Sequence, residues 1–329
     1  LADSALSGPP GRVRFIARPP WWGPDLQTLR SHLRRPPALP AEGEPVAFPL
    51  ADGDVLMGRL DRPENAARRP LLLLVHGLTG CESSRYMLAT AHHFTQLGYP
   101  VLRLNLRGAG PSRELCRQRY HGGRSADLKE ALLQLDGRLV RNGLLLVGFS
   151  LGGNLVLKLL AELGRRAPVL AAASISAPID LKATQLNMAR WRNLLYHRRL
   201  LHWMKAEAAS HADALTPAER ALLPGIASIY EFDEKLVAPR NGFAGADEYY
   251  ARSSAKPLLG AIAVPTLVIH ALDDPWIPGA IYRDIDWPAH PRLQPLLPRG
   301  GGHVGFHAWD GMPAYDRWMA EFFATKQRR

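Results

Sequence analysis

Cysteine is nearly absent: Cys81 and Cys116 are the only two in 329 residues. Two thiols make no disulfide framework, and no Cys/His spacing suits zinc, so neither cross-links nor a bound metal are expected. Long apolar runs are missing as well. None approaches the roughly 20 residues that a membrane-spanning helix needs. The opening stretch LADSALSGPPGRVRFIARPPWWG has no continuous apolar core of the kind that marks a signal peptide, so a cytoplasmic protein is expected. Lysine is scarce, with 7 against 34 arginines, yet the net charge is +11. The arginines are scattered in small clusters such as Arg34–Arg35, Arg68–Arg69, Arg165–Arg166 and Arg198–Arg199. No basic stripe with interleaved aromatics forms, so no nucleic-acid partner is expected. There is no internal repeat and no low-complexity linker.

What is present is an ordinary globular composition, 47% hydrophobic and 22% charged, with length enough for one large domain. Residues 1–45 are rich in proline and arginine and hold one short helix candidate, DLQTLRSHL; they read as an extension packed on the core. EPVAFPLADGDVLMGRL reads as two strands about a turn at Asp52–Gly53. Continuous apolar runs then alternate with helical patterns: PLLLLVHG, a helix in SSRYMLATAHHFTQLG, YPVLRLNLRG, a helix in SADLKEALLQLDGRL capped by Ser125 or Asp127, GLLLVGF, and a helix in LGGNLVLKLLAELG. APVLAAASIS, VPTLVIHALDD and RLQPLLPRGGGH are further strands, and AYDRWMAEFFATK is a closing helix. Such alternation specifies a mostly parallel, doubly wound α/β sheet.

One interval breaks the rhythm. About ninety residues between Ser174 and Val264 carry helical patterns only, including NMARWRNLLYHRRLLHWMKAEAA as one helix. They read as a helical cap over residues 182–260. The core is thereby divided into 46–181 and 261–329.

Gly148-Phe149-Ser150-Leu151-Gly152 fits G-x-S-x-G, lying between a buried strand and a helix. That context presents a serine on a sharp turn at a helix N-terminus, where negative charge is favoured. A serine hydroxyl needs a base, and a base needs an acid to orient it. In this chain order the acid follows the serine and the histidine comes last. VIHALDDPWIP supplies Asp274 at a strand end, with Asp273 as its rival. LLPRGGGHVGF supplies His303 in a glycine-rich loop, with His307 as its rival. VHGLTG supplies the other half of an oxyanion hole, from the backbone N–H groups of Leu78 and Leu151. His76 is read as a brace for that loop.

With those pieces placed, the chain resembles the α/β-hydrolase superfamily, and within it the YheT-like family. The resemblance rests on PWWGPDLQTL, VHGLTG, LNLRGAGPS, GFSLGGN, the segment from YEFDEKLV to ALDDPWIP, and GGHVGF, and it spans roughly residues 20 to 325. It implies an α/β-hydrolase fold with an antiparallel second strand, a cap, a Ser150–Asp274–His303 triad and cofactor-free esterase-like or lipase-like chemistry. Where many hydrolases carry D-x-R-G-x-G-x-S, this chain begins the motif with Asn105, as the narrower family does. The leading expectation is a carboxylic ester hydrolase acting through an acyl-enzyme on short- to medium-chain or lipid-like esters. An acyltransferase or a phospholipase would use the same residues. A non-catalytic binder on this scaffold would usually lack one of them. RWRNLLYHRRLLHWMK (190–205) carries apolar and basic residues at helical spacing, which fits either a cap helix or weak contact with an anionic membrane surface.

Overall fold

The computed structural model describes residues 15–33, 43–63, 69–210, 215–309 and 311–326. They form an eight-stranded sheet in the order β1-β2-β4-β3-β5-β6-β7-β8. β1 (Glu44–Pro49) and β2 (Val55–Asp61) make the expected hairpin, turning at Gly53 with φ +88°. β2 pairs antiparallel with β1 and with β4 (Val101–Leu104). β3 (Leu71–Val75), β4, β5 (Leu144–Phe149), β6 (Ala171–Ile175), β7 (Thr266–Ile269) and β8 (Leu293–Leu296) run parallel. The prolines within strands, Pro45, Pro49 and Pro295, all lie in β1 and β8. These are the edges of the sheet, where a missing N–H costs no ladder bond.

The unbroken leucines of β3 and β5 follow from burial on both faces. Leu71, Leu73 and Val75 pack with Leu128 of α3 (Ser125–Leu133) and Leu155 and Leu159 of α4 (Leu151–Leu163). Leu72 and Leu74 turn the other way, onto Met87 and Phe94 of α2 (Arg85–Gln96) and Phe322 and Phe323 of α12 (Ala314–Lys326). Before the sheet stands α1 (Pro24–Leu33), at the position of DLQTLRSHL.

Between β6 and β7 the described residues contain helices and no strand: α5 (Leu181–Met188), α6 (Leu194–Ala209), α7 (Pro217–Leu222), α8 (Ile229–Phe232), a π-helical segment Asp233–Val237, α9 (Ala238–Arg240) and α10 (Ala246–Ser253). α11 (Ala280–Arg283) follows β7. The single helix expected over 187–209 is broken. Arg190 adopts extended geometry, and Asn193 donates to Asn187 O at 3.0 Å and Pro275 O at 2.7 Å. Asn187 in turn donates to Pro275 O and Trp276 O. These amide bonds compete with the helix and tie the insertion to the turn after β7. Among the described residues no helix is long and apolar enough to cross a membrane.

The cap expected on α3 differs too. Neither Ser125 nor Asp127 caps it; Arg124 occupies that position without a side-chain capping bond. Ser125 Oγ donates to Glu162 instead, at 2.6 Å. Asp127 accepts two bonds from the buried Arg107, each at 2.8 Å. Arg107 also meets Asp52 and Asp54 of the β1–β2 turn. Burial opposes its charge, but the Asp127, Asp52 and Asp54 carboxylates more than offset that and hold its pKa above the ordinary value. A buried charge with partners outranks a helix cap. Cys81 and Cys116 are free thiols.

Asp316 on α12 is fully buried against α2, where its Oδ1 accepts from Thr90 Oγ1 at 2.7 Å. Burial, only partly offset by that hydroxyl, pushes its carboxyl up to about 7. An unfolded aspartate titrates near ~4. The native state therefore loses stability relative to the unfolded chain as pH rises from 4 to 7, with a loss on the order of 4 kcal/mol that is constant above. Asp316→Asn keeps the shape without the charge. Its melting temperature is expected to gain on wild type steadily from pH 4 to 7 and then hold; a pH-independent difference would contradict this.

Candidate functional site

β5 delivers its last residue, Phe149, directly to the turn at Ser150, and α4 begins at Leu151. Ser150 sits at φ 50° and ψ −120°, a conformation that costs an ordinary residue about 1–3 kcal/mol. Its N–H donates to Ile175 O at 2.8 Å, and its carbonyl accepts from Gly153 N and Asn154 N. A side chain at Gly152 would strike the carbonyl oxygens of His76 and Val75; one at Gly148 would strike the Gly152 carbonyl. The glycines of G-x-S-x-G are thus a packing requirement of this turn.

His303 Nε2 lies 3.0 Å from Ser150 Oγ, and His303 Nδ1 lies 2.8 Å from Asp274 Oδ2. Asp274 Oδ1 accepts from the N–H groups of Trp276 (2.9 Å) and Ile277 (3.1 Å). Burial alone would raise the Asp274 carboxyl, but His303, His270 and the Ile277 N–H more than offset it and hold it below its ordinary value. An ionised Asp274 only accepts, so Nδ1 carries the proton and Nε2 faces the serine hydroxyl as an acceptor.

The rivals of Asp274 and His303 bond elsewhere. Asp273 turns away from His303 and accepts from Gly302 N at 3.0 Å, bracing the glycine loop. His307 Nε2 lies 3.0 Å from Ser31 Oγ, against α1.

Three groups that sequence reasoning did not single out hold the histidine. His303 N–H donates to Thr28 Oγ1 at 2.8 Å, and that hydroxyl donates to Pro24 O at 2.7 Å. Val304 N–H donates to Ser176 Oγ at 3.2 Å. The Trp276 ring stacks on the imidazole, centroids 4.4 Å apart. The only sequence signal for Thr28 was its place in the PWWGPDLQTL segment; DPWIP marked Trp276 only as part of a turn. Asn154, also not singled out from sequence, acts elsewhere: it bonds Gly122 O, Ser253 O and Ala255 N, joining α4 to the end of the insertion.

The His76–Gly77 loop lies over Ser150. His76 is fully buried, and burial pushes its pKa down to about 4. It accepts from Leu106 N at Nε2 (3.0 Å), so Nδ1 donates to Gly77 O at 2.8 Å, the bracing role read from sequence. Gly77 N–H donates to Tyr86 Oη and Thr79 N–H to Tyr120 Oη. Leu151 N–H belongs to the first turn of α4, which has no acceptor within its own helix.

Two cavities meet at Ser150 and His303. One, of about 350 Å³, runs under the insertion between Leu181, Met188, Leu200, Met204, Ile229 and Phe232. The other, of about 690 Å³, lies between the His76–Gly77 loop and α6 and reaches Ser83, Arg113 and Trp203. Leu78 borders both. Among the described residues no group of His, Cys, Asp or Glu is placed to hold a metal ion.

A family model described as alpha/beta hydrolase fold matches residues 70–308. The chain belongs to the α/β-hydrolase family. This hydrolase is 34% identical over 261 residues to the protein YheT of Escherichia coli (strain K12), covering 78% of this chain and 76% of that one. It is 26% identical over 287 residues to phospholipase ABHD3 of Homo sapiens, covering 86% and 69%. The Pyrococcus furiosus esterase Pf2001 shares the fold, with a TM-score of 0.59 at 16% identity over 89% of this chain and 99% of that one.

If Thr28 aims the His303 loop, Thr28→Val removes about 1 kcal/mol of positioning. Turnover of p-nitrophenyl butyrate is then expected to lose about fivefold in kcat with KM and melting temperature little changed, and Thr28→Ser to recover it. An unchanged kcat in Thr28→Val would contradict the role.

Proposed function

We propose that this hydrolase cleaves carboxylic esters through an acyl-enzyme formed on Ser150. The observation that carries the reading is the continuous chain from Ser150 Oγ to His303 at 3.0 Å and from His303 to Asp274 at 2.8 Å. His303 Nε2 takes the serine proton as Oγ attacks the ester carbonyl, and Asp274 holds the imidazolium that results. The carbonyl oxygen gains its charge against the N–H groups of Leu78 and Leu151, the second aided by the positive end of α4. His303 returns the proton to the departing alcohol. Water then enters by the same base and releases the acid, leaving Ser150 free.

The described residues of 182–260 act as a cap over this centre, and those of 1–45 as an extension whose α1 supports it; residues 1–14, 34–42 and 211–214 lie outside the described residues. The 350 Å³ cavity suits an acyl chain of short to medium length, since aliphatic side chains from α5, α6 and α8 line it. The second cavity takes the alcohol portion. The similarity to phospholipase ABHD3 favours lipid-like esters.

A p-nitrophenyl ester series from acetate to palmitate tests the reading. Wild type is expected to prefer an intermediate chain, and Ser150→Ala to lose at least about a thousandfold in kcat while melting like wild type. A folded wild type that is inactive on every ester, or a Ser150→Ala variant that retains turnover, would overturn it.

A further inference from the structure

Among the large apolar side chains left in water, one group gathers at the start of α6 and beside α1. Trp191 is 88% exposed and Leu195 80%, with Leu194 beside them. Trp22, 61% exposed and just before α1, and Leu26 on α1 are exposed as well. Asp25, lying between those two in sequence, bonds Arg192 Nη2 at 2.7 Å and the Tyr196 hydroxyl at 2.9 Å. Two segments far apart in the chain therefore make one surface. Single exposed apolar residues need no explanation, but a contiguous group with two tryptophans does.

α6 is two-sided. His197, Leu200, Leu201, Met204 and Ala208 are buried. The opposite stripe of Leu194, Leu195, Arg198, Arg199 and His202 faces solvent, and Arg190 is exposed just before it. Leu200 and Met204 line the apolar cavity, so one helix carries both the cavity wall and the outer patch. Tyr196 meets Trp276 edge-on at 5.6 Å, and Trp276 stacks on His303. The patch thus adjoins the catalytic histidine of the proposed mechanism.

We propose that this face docks on an anionic lipid surface. Trp191, Leu195 and Trp22 enter the boundary between headgroups and acyl chains, as exposed tryptophans and leucines do on interfacial helices. Arg190, Arg198 and Arg199 meet the headgroups. The charge argues for lipid over a second copy of the chain: two such faces would bring their arginine collars together on a protein of net charge +11. Docking sets the cap helix and the cavity beneath it against ester lipids in the surface. That consequence rests on the ester-hydrolase reading; the binding itself does not.

The test is co-sedimentation with vesicles, either of phosphatidylcholine alone or rich in phosphatidylglycerol, comparing wild type with Trp191→Ser/Leu195→Ser. Wild type is expected to pellet with the phosphatidylglycerol vesicles, to pellet less with phosphatidylcholine alone, and to be released by high salt. The double variant is expected to bind at least about tenfold more weakly, while its melting temperature and p-nitrophenyl butyrate turnover match wild type. A wild type that stays in the supernatant, or a variant that pellets equally, overturns the proposal. So does a wild type that dimerises through this face and ignores vesicles. Pelleting without any ester turnover would instead count against the hydrolytic reading and leave the docking face standing.

Discussion

The backbone at Ser150 is the constraint on which the rest depends. A serine at φ 50° persists only because its surroundings leave no alternative. β5 is clamped between β3 and β6, and α4 must start at once to pack on the sheet. The turn between them has room for nothing larger than glycine at 148 and 152. The strain lifts the serine side chain away from the sheet toward the loop after β3 and the loop after β8. It also points the open N–H groups of α4 at the same spot.

Around that fixed point the other groups are placed by elements that differ in rigidity. Asp274 comes from the turn after β7 and is locked by two backbone N–H groups. His303 comes from a run of glycines that could not hold itself. Its position is set from outside: by Asp273 on Gly302, by Ser176 on Val304 and by Thr28 of α1 on His303 itself. α1 thus does more than cover the core. Through Asp25 it also meets Arg192 and Tyr196 of the insertion, so one short helix touches both the histidine loop and the cap.

Much of this was legible in the residues. A parallel sheet buried on both faces announces itself as runs such as LLLLV and LLLVGF, because no polar side chain fits either side. Ser150, Asp274 and His303 stood out because their local contexts, a glycine-flanked turn, a strand end and a glycine loop, are written in neighbouring residues. The structure brings these three together. What could not be read depends on partners far along the chain. Asp274 was preferred to Asp273 as the start of DPWIP, but that its carboxylate faces His303 while Asp273 bonds Gly302 shows only in the fold. Thr28 is an ordinary helix residue until the loop some 275 positions away is laid against it. The break at Arg190 is invisible in a helical pattern because Asn187 and Asn193 find their acceptors on Pro275 and Trp276. Asp127 looked like a cap because the buried Arg107 that claims it lies in another segment.

The most direct test of the central claim is covalent. A fluorophosphonate should react with a serine only where a base has activated it and N–H groups hold the developing oxyanion. After incubation and proteolysis, mass spectrometry is expected to find one phosphonyl adduct per chain, on Ser150, absent when His303 is replaced by alanine in a protein that still melts like wild type. No adduct on folded wild type, or an adduct on another serine with Ser150 unmodified, would contradict the assignment of Ser150 as the nucleophile.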